Sequence, residues 1–301
     1  MCSACFCWRL AALRLLSAFT RWLHDKRLLA MPELPEVETT CRGLAPHLCG
    51  QRIRAVRIRD PRLRWPVAAN VATQPCGQLI VGVSRRAKYL LINLENGTII
   101  IHLGMSGSLR LGSGNEAPRT HDHVEIELGN ALVLRLHDPR RFGSIHFTDA
   151  DPIRHRLLAS LGVEPLSNAF TAQRLKRHSA SRRVAVKTFI MDSKVVVGIG
   201  NIYASEALFL AGIHPTRPAG RIALHRYEDL VAAVRDVLSK AIEQGGTTLR
   251  DFVNGAGEPG YFAQSLRVYG RADLPCTICA TPITSRVVAQ RNTFFCIRCQ
   301  R

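Results

Sequence analysis

Met31-Pro-Glu-Leu-Pro-Glu-Val-Glu38 reads as the acidic, proline-initiated start of a helix. A proline in the first turn loses no hydrogen bond there, and carboxylates near a helix N-terminus are favoured by its dipole. The helix is expected over Pro35 to Leu48, with Gly50 just past its end. From Gln51 to about Phe147 the period shortens to that of strands. Ile53 to Arg59 alternates apolar and polar residues. Tyr89 to Leu94 and Thr98 to Leu103 flank Glu95-Asn96-Gly97, while Val124 to Leu128 and Ala131 to Leu136 flank Gly129-Asn130; both spacings predict hairpins. Short strands joined by such turns point to a β-sandwich or barrel.

From about Pro152 to Gln244 the period becomes helical. Tyr227, Leu230, Val231, Val234, Val237, Leu238, Ala241 and Ile242 form the apolar stripe of a long helix that Gly245-Gly246 ends. A second helix runs over Asn201 to Leu210 and is reached through Gly198-Ile-Gly200. Asn254 to Gly260 is a glycine-rich loop. The chain is therefore expected to be α+β and multidomain, with sheets first, helices next and a small cysteine module last.

That module holds Cys276-Thr-Ile-Cys279 and Cys296-Ile-Arg-Cys299, with β-branched and aromatic residues between Ile283 and Phe295 that suit a hairpin. Two such pairs supply four thiolates to one tetrahedral ion. A module this short cannot build an adequate core, so one structural Zn2+ is expected, with no coordination position left open for catalysis. Arg286, Arg291 and Arg298 lie on this mount and suit phosphate.

Lys and Arg number 41 against 23 Asp and Glu, a formal charge of +18 over 301 residues that are 47% hydrophobic. This excludes global disorder and favours a polyanionic partner, nucleic acid first. No window reaches the roughly 18 apolar residues of a membrane span. The ten cysteines are not spread as a disulfide framework, which favours a reducing compartment. Residues 1–30 carry Arg9, Arg14, Arg21, Lys26 and Arg27 against Asp25 alone, and Trp8 to Leu23 suits a basic amphipathic helix.

Met31 to Glu38 resembles the mature start of the formamidopyrimidine-DNA glycosylases of the bacterial zinc-finger type. The likeness continues through Arg85-Arg-Ala-Lys88-Tyr-Leu-Leu, His102-Leu-Gly-Met-Ser-Gly-Ser-Leu, His121-Asp-His, Asp138-Pro-Arg-Arg-Phe-Gly143, Gly198-Ile-Gly-Asn-Ile-Tyr-Ala-Ser-Glu206 and Gly260-Tyr-Phe-Ala-Gln to the cysteine module. It implies an N-terminal β-sandwich over 32–150, a helical part with a helix–two-turn–helix motif over 151–265, and a zinc finger over 266–301. The implied activity is base-excision repair: release of oxidised purines such as 8-oxoguanine and formamidopyrimidines from duplex DNA, then β,δ-elimination that nicks the strand. The implied setting is a monomer in the bacterial cytoplasm, associated with the nucleoid through DNA, with neither a membrane nor an obligate protein partner.

The resemblance also assigns residues. Pro32 would be the nucleophile, since a free N-terminal proline is a secondary amine able to attack a sugar C1′ and leave a Schiff base. Glu33 would be the proton donor, and Glu36 could assist it. Lys88 would serve β-elimination, and Arg291 δ-elimination by gripping the adjoining phosphate. Met105, Arg140 and Phe142 would fill the space that a flipped base leaves, with Arg140 on the orphaned cytosine. His121 and Asn201 would contact DNA, Asn201 at a helix N-terminus whose backbone N–H groups suit a phosphate. Asn254 to Gln264 would cover the flipped base.

One conflict stands out. If Met1 begins the working chain, Pro32 is a tertiary amide without a basic lone pair. The expectation is that residues 1–31 are absent from the mature enzyme, through initiation at Met31 and removal of that methionine. Two other readings compete. A sibling glycosylase selective for oxidised pyrimidines would prefer thymine glycol to 8-oxoguanine. A zinc-ribbon DNA binder without catalysis would give no borohydride-trapped adduct.

Overall fold

The computed structural model describes residues 31–246 and 265–301. The extension at residues 1–30 and the loop read over Asn254 to Gln264 lie outside the described residues.

Helix α1 spans Leu34–Leu48, one residue longer than expected. Eight strands follow: β1 Ile53–Ile58, β2 Ile80–Arg86, β3 Tyr89–Leu94, β4 Gly97–His102, β5 Ser108–Ser113, β6 Asp122–Leu128, β7 Leu132–His137 and β8 Ser144–Thr148. They form two antiparallel four-stranded sheets, ordered β1-β6-β7-β5 and β2-β3-β4-β8. Leu90, Ile92, Ile99 and Ile101 of one sheet share a buried cluster with Val124, Ile126, Leu134 and Leu136 of the other. Val37, Cys41, Leu44 and Leu48, one face of α1, join the same cluster. Strands β3 and β4 read as unbroken apolar runs because their second face is also covered. There Leu91 and Ile100 pack on Leu158, just beyond the sandwich.

Both hairpins form, but their turns differ from the expected Asn-Gly type. Leu94 pairs with Gly97, so Glu95 and Asn96 are the central residues, and the positive φ falls on Gly97. In the second hairpin the Ala131 N–H donates to the Leu128 carbonyl, and the positive φ falls on Ala131. Each turn is followed by one left-handed residue that restores the strand twist.

Helix α2, Asn70–Thr73, lies between β1 and β2 in the chain and packs on the sandwich. The helical part contains α3 Ala172–Ser179, α4 Val186–Ile190, α5 Asn201–Leu210 and α6 Leu224–Glu243. Helix α5 is buried on every side from Ile202 to Phe209 and acts as the central strut. Strands β9 Thr284–Val288 and β10 Arg291–Phe295 form the terminal hairpin. Its apolar side, Ile283 and Phe294, packs with Val268 against Phe209 of α5. Among the described residues, no helix is long and apolar enough to cross a membrane.

Candidate functional site

Pro32 is buried at the head of α1, where the Leu34 N–H donates to the Gly198 carbonyl. Glu33, 3% exposed, points its carboxylate at the start of α5. Its Oε2 accepts from the Gly200 N–H at 2.6 Å and its Oε1 from the Ile202 N–H at 3.0 Å. The phosphate site expected at this helix N-terminus is therefore filled by the protein's own carboxylate. The cap is Gly200, not Asn201. Asn201 instead turns its side-chain amide to the Asn292 carbonyl of the terminal hairpin, at 3.0 Å.

This packing explains the Gly198-Ile-Gly200 sequence. A Cβ on Gly200 would lie 2.3 Å from the Glu33 carboxyl carbon, and one on Gly198 would lie 2.6 Å from Leu34 Cδ1. Gly198 also takes a φ of +79°, which suits glycine. Replacing Gly200 with Ala should displace the Glu33 carboxylate while leaving fold and metal content intact. If Glu33 is the proton donor that the resemblance implies, base release should fall roughly 100-fold, the scale of a misplaced general acid. Single-turnover excision beside a metal assay checks this.

Glu36 completes the acidic pair. Its Oε2 accepts from the Glu33 N–H at 2.9 Å, and its Oε1 from the Tyr203 hydroxyl at 2.6 Å. Burial raises the Glu33 carboxyl above the usual range. Lys88 opposes that shift, Glu36 adds to it, and the two backbone donors oppose it. Lys88, in the β2–β3 turn, moves the other way. Burial lowers its ammonium, Glu33 and Glu36 hold it up, and Arg291 pushes it further down. Pro32, Glu33, Lys88 and Arg291 come from three distant stretches of chain, yet the fold brings the charges of the last three within reach of one another.

Lys187 on α4 is a member of this group that spacing did not reveal. It is 2% exposed, and its ammonium donates to Thr293 Oγ1 at 2.9 Å. Burial brings it down to about 7, and Glu33 and Arg291 act on it from opposite directions. The available signal was a single lysine within the apolar run Val184 to Ile190. A cleft of about 620 Å³ opens beside it, lined by Arg182, Lys187 and Arg291.

Arg291 follows a two-residue turn, Ala289-Gln290, in which both residues take positive φ. The arginine is thus exposed at the hairpin tip. Below it, the sulfurs of Cys276, Cys279, Cys296 and Cys299 lie within 4.8 Å of one another. Cys276–Cys299 is 3.8 Å and Cys279–Cys296 is 3.4 Å. A tetrahedral Zn–S4 centre needs sulfurs about 3.8 Å apart. The four thiols therefore fit one zinc ion.

Met105, Arg140 and Phe142 gather on two loops that Asp138 joins. Asp138, fully buried, accepts from Ser106 Oγ at 2.7 Å and from the Gly143 N–H at 2.7 Å. A Cβ on Gly104 would meet the Phe142 carbonyl carbon at 2.4 Å, so the loops touch. Phe142 is 42% exposed and carries the Arg140 guanidinium 5.1 Å over its ring. A core-packing role for Phe142 is excluded by that exposure. His121 is exposed with a φ of +74°, near the rings of His123 and His137.

Three family models match the chain: the formamidopyrimidine-DNA glycosylase N-terminal domain over residues 31–145, the H2TH domain of the same glycosylases over 161–253, and a zinc finger found in FPG and IleRS over 273–301. The formamidopyrimidine-DNA glycosylase of Methylococcus capsulatus is 57% identical over 271 residues, which is 90% of this chain and all of that protein. The Marinobacter nauticus relative of the same name is 58% identical over the same shares. Among solved structures, the MutM (FPG) protein of Thermus thermophilus aligns with a TM-score of 0.81 at 41% identity, covering 89% of this chain and 98% of that one. The Lactococcus lactis FPG bound to Fapy-dG DNA aligns with a TM-score of 0.82 at 30% identity, covering 89% and 100%.

Proposed function

The chain belongs to the formamidopyrimidine-DNA glycosylase family, and from that membership we propose a role for each of the grouped residues. The protein is a DNA glycosylase and abasic-site lyase of base-excision repair that acts on oxidised purines and holds one structural zinc. Its partner is DNA carrying such lesions.

The observation that carries the residue assignment is the convergence of Glu33, Lys88 and Arg291 beside Pro32. With residues 1–31 gone, the Pro32 nitrogen attacks C1′ of the damaged nucleotide. A C–N bond forms as the glycosidic bond breaks, and the electron pair leaves with the base. Glu33 delivers the proton that the departing base or the opening sugar ring needs. Its burial favours the protonated acid, and the α5 backbone donors fix its direction. Pro32 sheds its proton and the C1′–O4′ bond opens, its electron pair going to O4′, which is protonated. The resulting iminium acidifies the C2′ hydrogen, and loss of that proton breaks the C3′–O bond, whose pair leaves with the 3′ phosphate. Lys88 supports this step, and Arg291 grips the adjoining phosphate for the second elimination. Cys276, Cys279, Cys296 and Cys299 hold the zinc, whose contribution is to make the hairpin rigid.

Met105 and Phe142 fill the gap left by the extruded base, and Arg140 faces the base opposite. His121 contacts the backbone, and Asn201 remains a contact through its half-exposed side chain alone. The working boundaries are 32–150, 151–265 and 266–301. The enzyme works as a monomer on duplex DNA in the cytoplasm, without an obligate protein partner.

The deciding experiment offers a zinc-loaded, Pro32-first protein duplexes carrying 8-oxoguanine or thymine glycol, with borohydride present. Excision and a covalent adduct with 8-oxoguanine are expected. Adducts with thymine glycol alone would assign the sibling pyrimidine class. Binding without any adduct would overturn the roles given to Pro32 and Glu33.

A further inference from the structure

Lys88 is not carried by a regular element. It is the second residue of the two-residue turn Ala87-Lys88 between β2 and β3, where Arg86 pairs with Tyr89. Ala87, the first central residue, has a φ of +56°. Glycine, asparagine or aspartate normally takes that position, so an alanine there leans on its surroundings.

The surroundings are one carboxylate from another part of the chain. Glu164, beyond the sandwich, accepts the Ala87 N–H on Oε1 at 2.8 Å. The same oxygen accepts from Arg86 at 2.7 Å, and Oε2 accepts from Arg85 at 2.8 Å. Arg85 closes the ring by donating to the Ala87 carbonyl at 2.9 Å and to Glu38 of α1 at 3.0 Å. Glu164 thus binds the turn's backbone and both preceding arginines at once. Through Arg85 it also fixes the turn to the helix whose head carries Pro32.

We propose that Glu164 is the positioning residue for Lys88, a clamp that imposes the left-handed turn at Ala87 and so aims the ammonium into the site. Glu164 touches neither sugar nor base in this role. It acts through the Ala87 amide and the two guanidiniums. The proposal rests on the reading that Lys88 serves the elimination step. It adds that the aim of Lys88 depends on the seam between the sandwich and the helical part. A disturbance at that seam would then be felt as lost elimination.

Five variants of the Pro32-first, zinc-loaded enzyme test it: Lys88→Ala, Glu164→Ala, Glu164→Gln, and each of the two Glu164 variants combined with Ala87→Gly. The readouts are single-turnover elimination on an abasic-site duplex, affinity for a duplex with an uncleavable abasic analogue, and zinc content. Glu164→Ala is expected to slow elimination at least tenfold with affinity and zinc within twofold of the parent. Glu164→Gln keeps an oxygen for the Ala87 N–H but loses the charge, so it should fall in between. Adding Ala87→Gly supplies the left-handed residue without a clamp and should recover threefold or more. A purely structural role would lower all readouts together and give no such rescue. If Glu164→Ala does not fold, the graded loss in Glu164→Gln and its rescue by Ala87→Gly test the clamp in its place. Unchanged elimination in both Glu164 variants, alongside a Lys88→Ala variant that is dead, overturns the clamp. Unchanged elimination in Lys88→Ala overturns the Lys88 reading instead.

Discussion

A chain that starts at Pro32 should be trapped by borohydride on abasic DNA, and the same chain keeping Met31 should not. The difference should be on the order of 10³-fold or more, the scale on which losing a covalent nucleophile is felt. The physical reason is local. In a peptide bond the proline nitrogen shares its lone pair with the carbonyl, so it neither takes up a proton near neutral pH nor attacks carbon. Lys88 is the nearest alternative amine: burial lowers its ammonium and Arg291 adds to that, while Glu33 and Glu36 oppose the shift. The family match begins at residue 31, and the Methylococcus relative is covered in full by 271 residues of this chain. The expected comparison therefore includes a third arm, the 301-residue chain. It should bind lesion DNA and retain zinc yet give no adduct. N-terminal sequencing of native protein should return Pro32 first. An adduct of full yield from a chain that demonstrably retains Met31 would remove Pro32 from the mechanism and turn attention to Lys88.

The elements that local pattern specifies are legible in the sequence itself. The stripe from Tyr227 to Ile242 forms α6, and the paired cysteines converge as their spacing requires. Helix α5 has the expected bounds because Gly198 and Gly200 punctuate it. What those glycines are for is not legible. They admit Leu34 and Glu33, and the Glu33–Gly200 bond spans 167 residues of sequence. Periodicity reports on neighbours within a turn or two, so a partner that distant leaves no local trace. The same holds for Lys187, whose acceptors lie on the hairpin more than a hundred residues away. It holds again for Glu164, an ordinary glutamate by sequence and a threefold acceptor in the fold. The turns depart from expectation for a different reason. Asn96-Gly97 favours positive φ at both central residues, but the register places Gly97 after the turn. There a side chain would strike Phe147 and the Thr148 carbonyl.

Removing the metal should cost the enzyme its grip on DNA before it costs the rest of the fold. A lone two-stranded hairpin is marginal in water, and β9–β10 has little of its own beyond Ile283 and Phe294 packed on Phe209. Two of the four sulfurs, those of Cys276 and Cys296, sit inside that same small cluster. The ion therefore replaces a missing core, and zinc binding in modules of this kind contributes roughly 10 kcal/mol or more to folding. The remainder is tied down separately. Glu33 holds the start of α5, and Glu206 on α5 accepts the Arg267, Val268 and Tyr269 N–H groups at 2.8–2.9 Å. Replacing Cys296 with Ser, or stripping zinc with a chelator, should leave helical circular dichroism largely intact. It should weaken binding to an abasic-analogue duplex by roughly 30-fold or more, about 2 kcal/mol. The lost contact is Arg291 at the tip, together with the Asn201 and Lys187 bonds to Asn292 and Thr293 that seat the hairpin. Arg291→Ala with zinc retained separates mount from tool. It should still form the Pro32 adduct and complete the first elimination, but leave the 3′ end as the unsaturated aldehyde instead of a phosphate. Zinc-free protein with undiminished affinity and a full second elimination would show that Arg291 needs no rigid mount, and the metal would then lose its place in the mechanism.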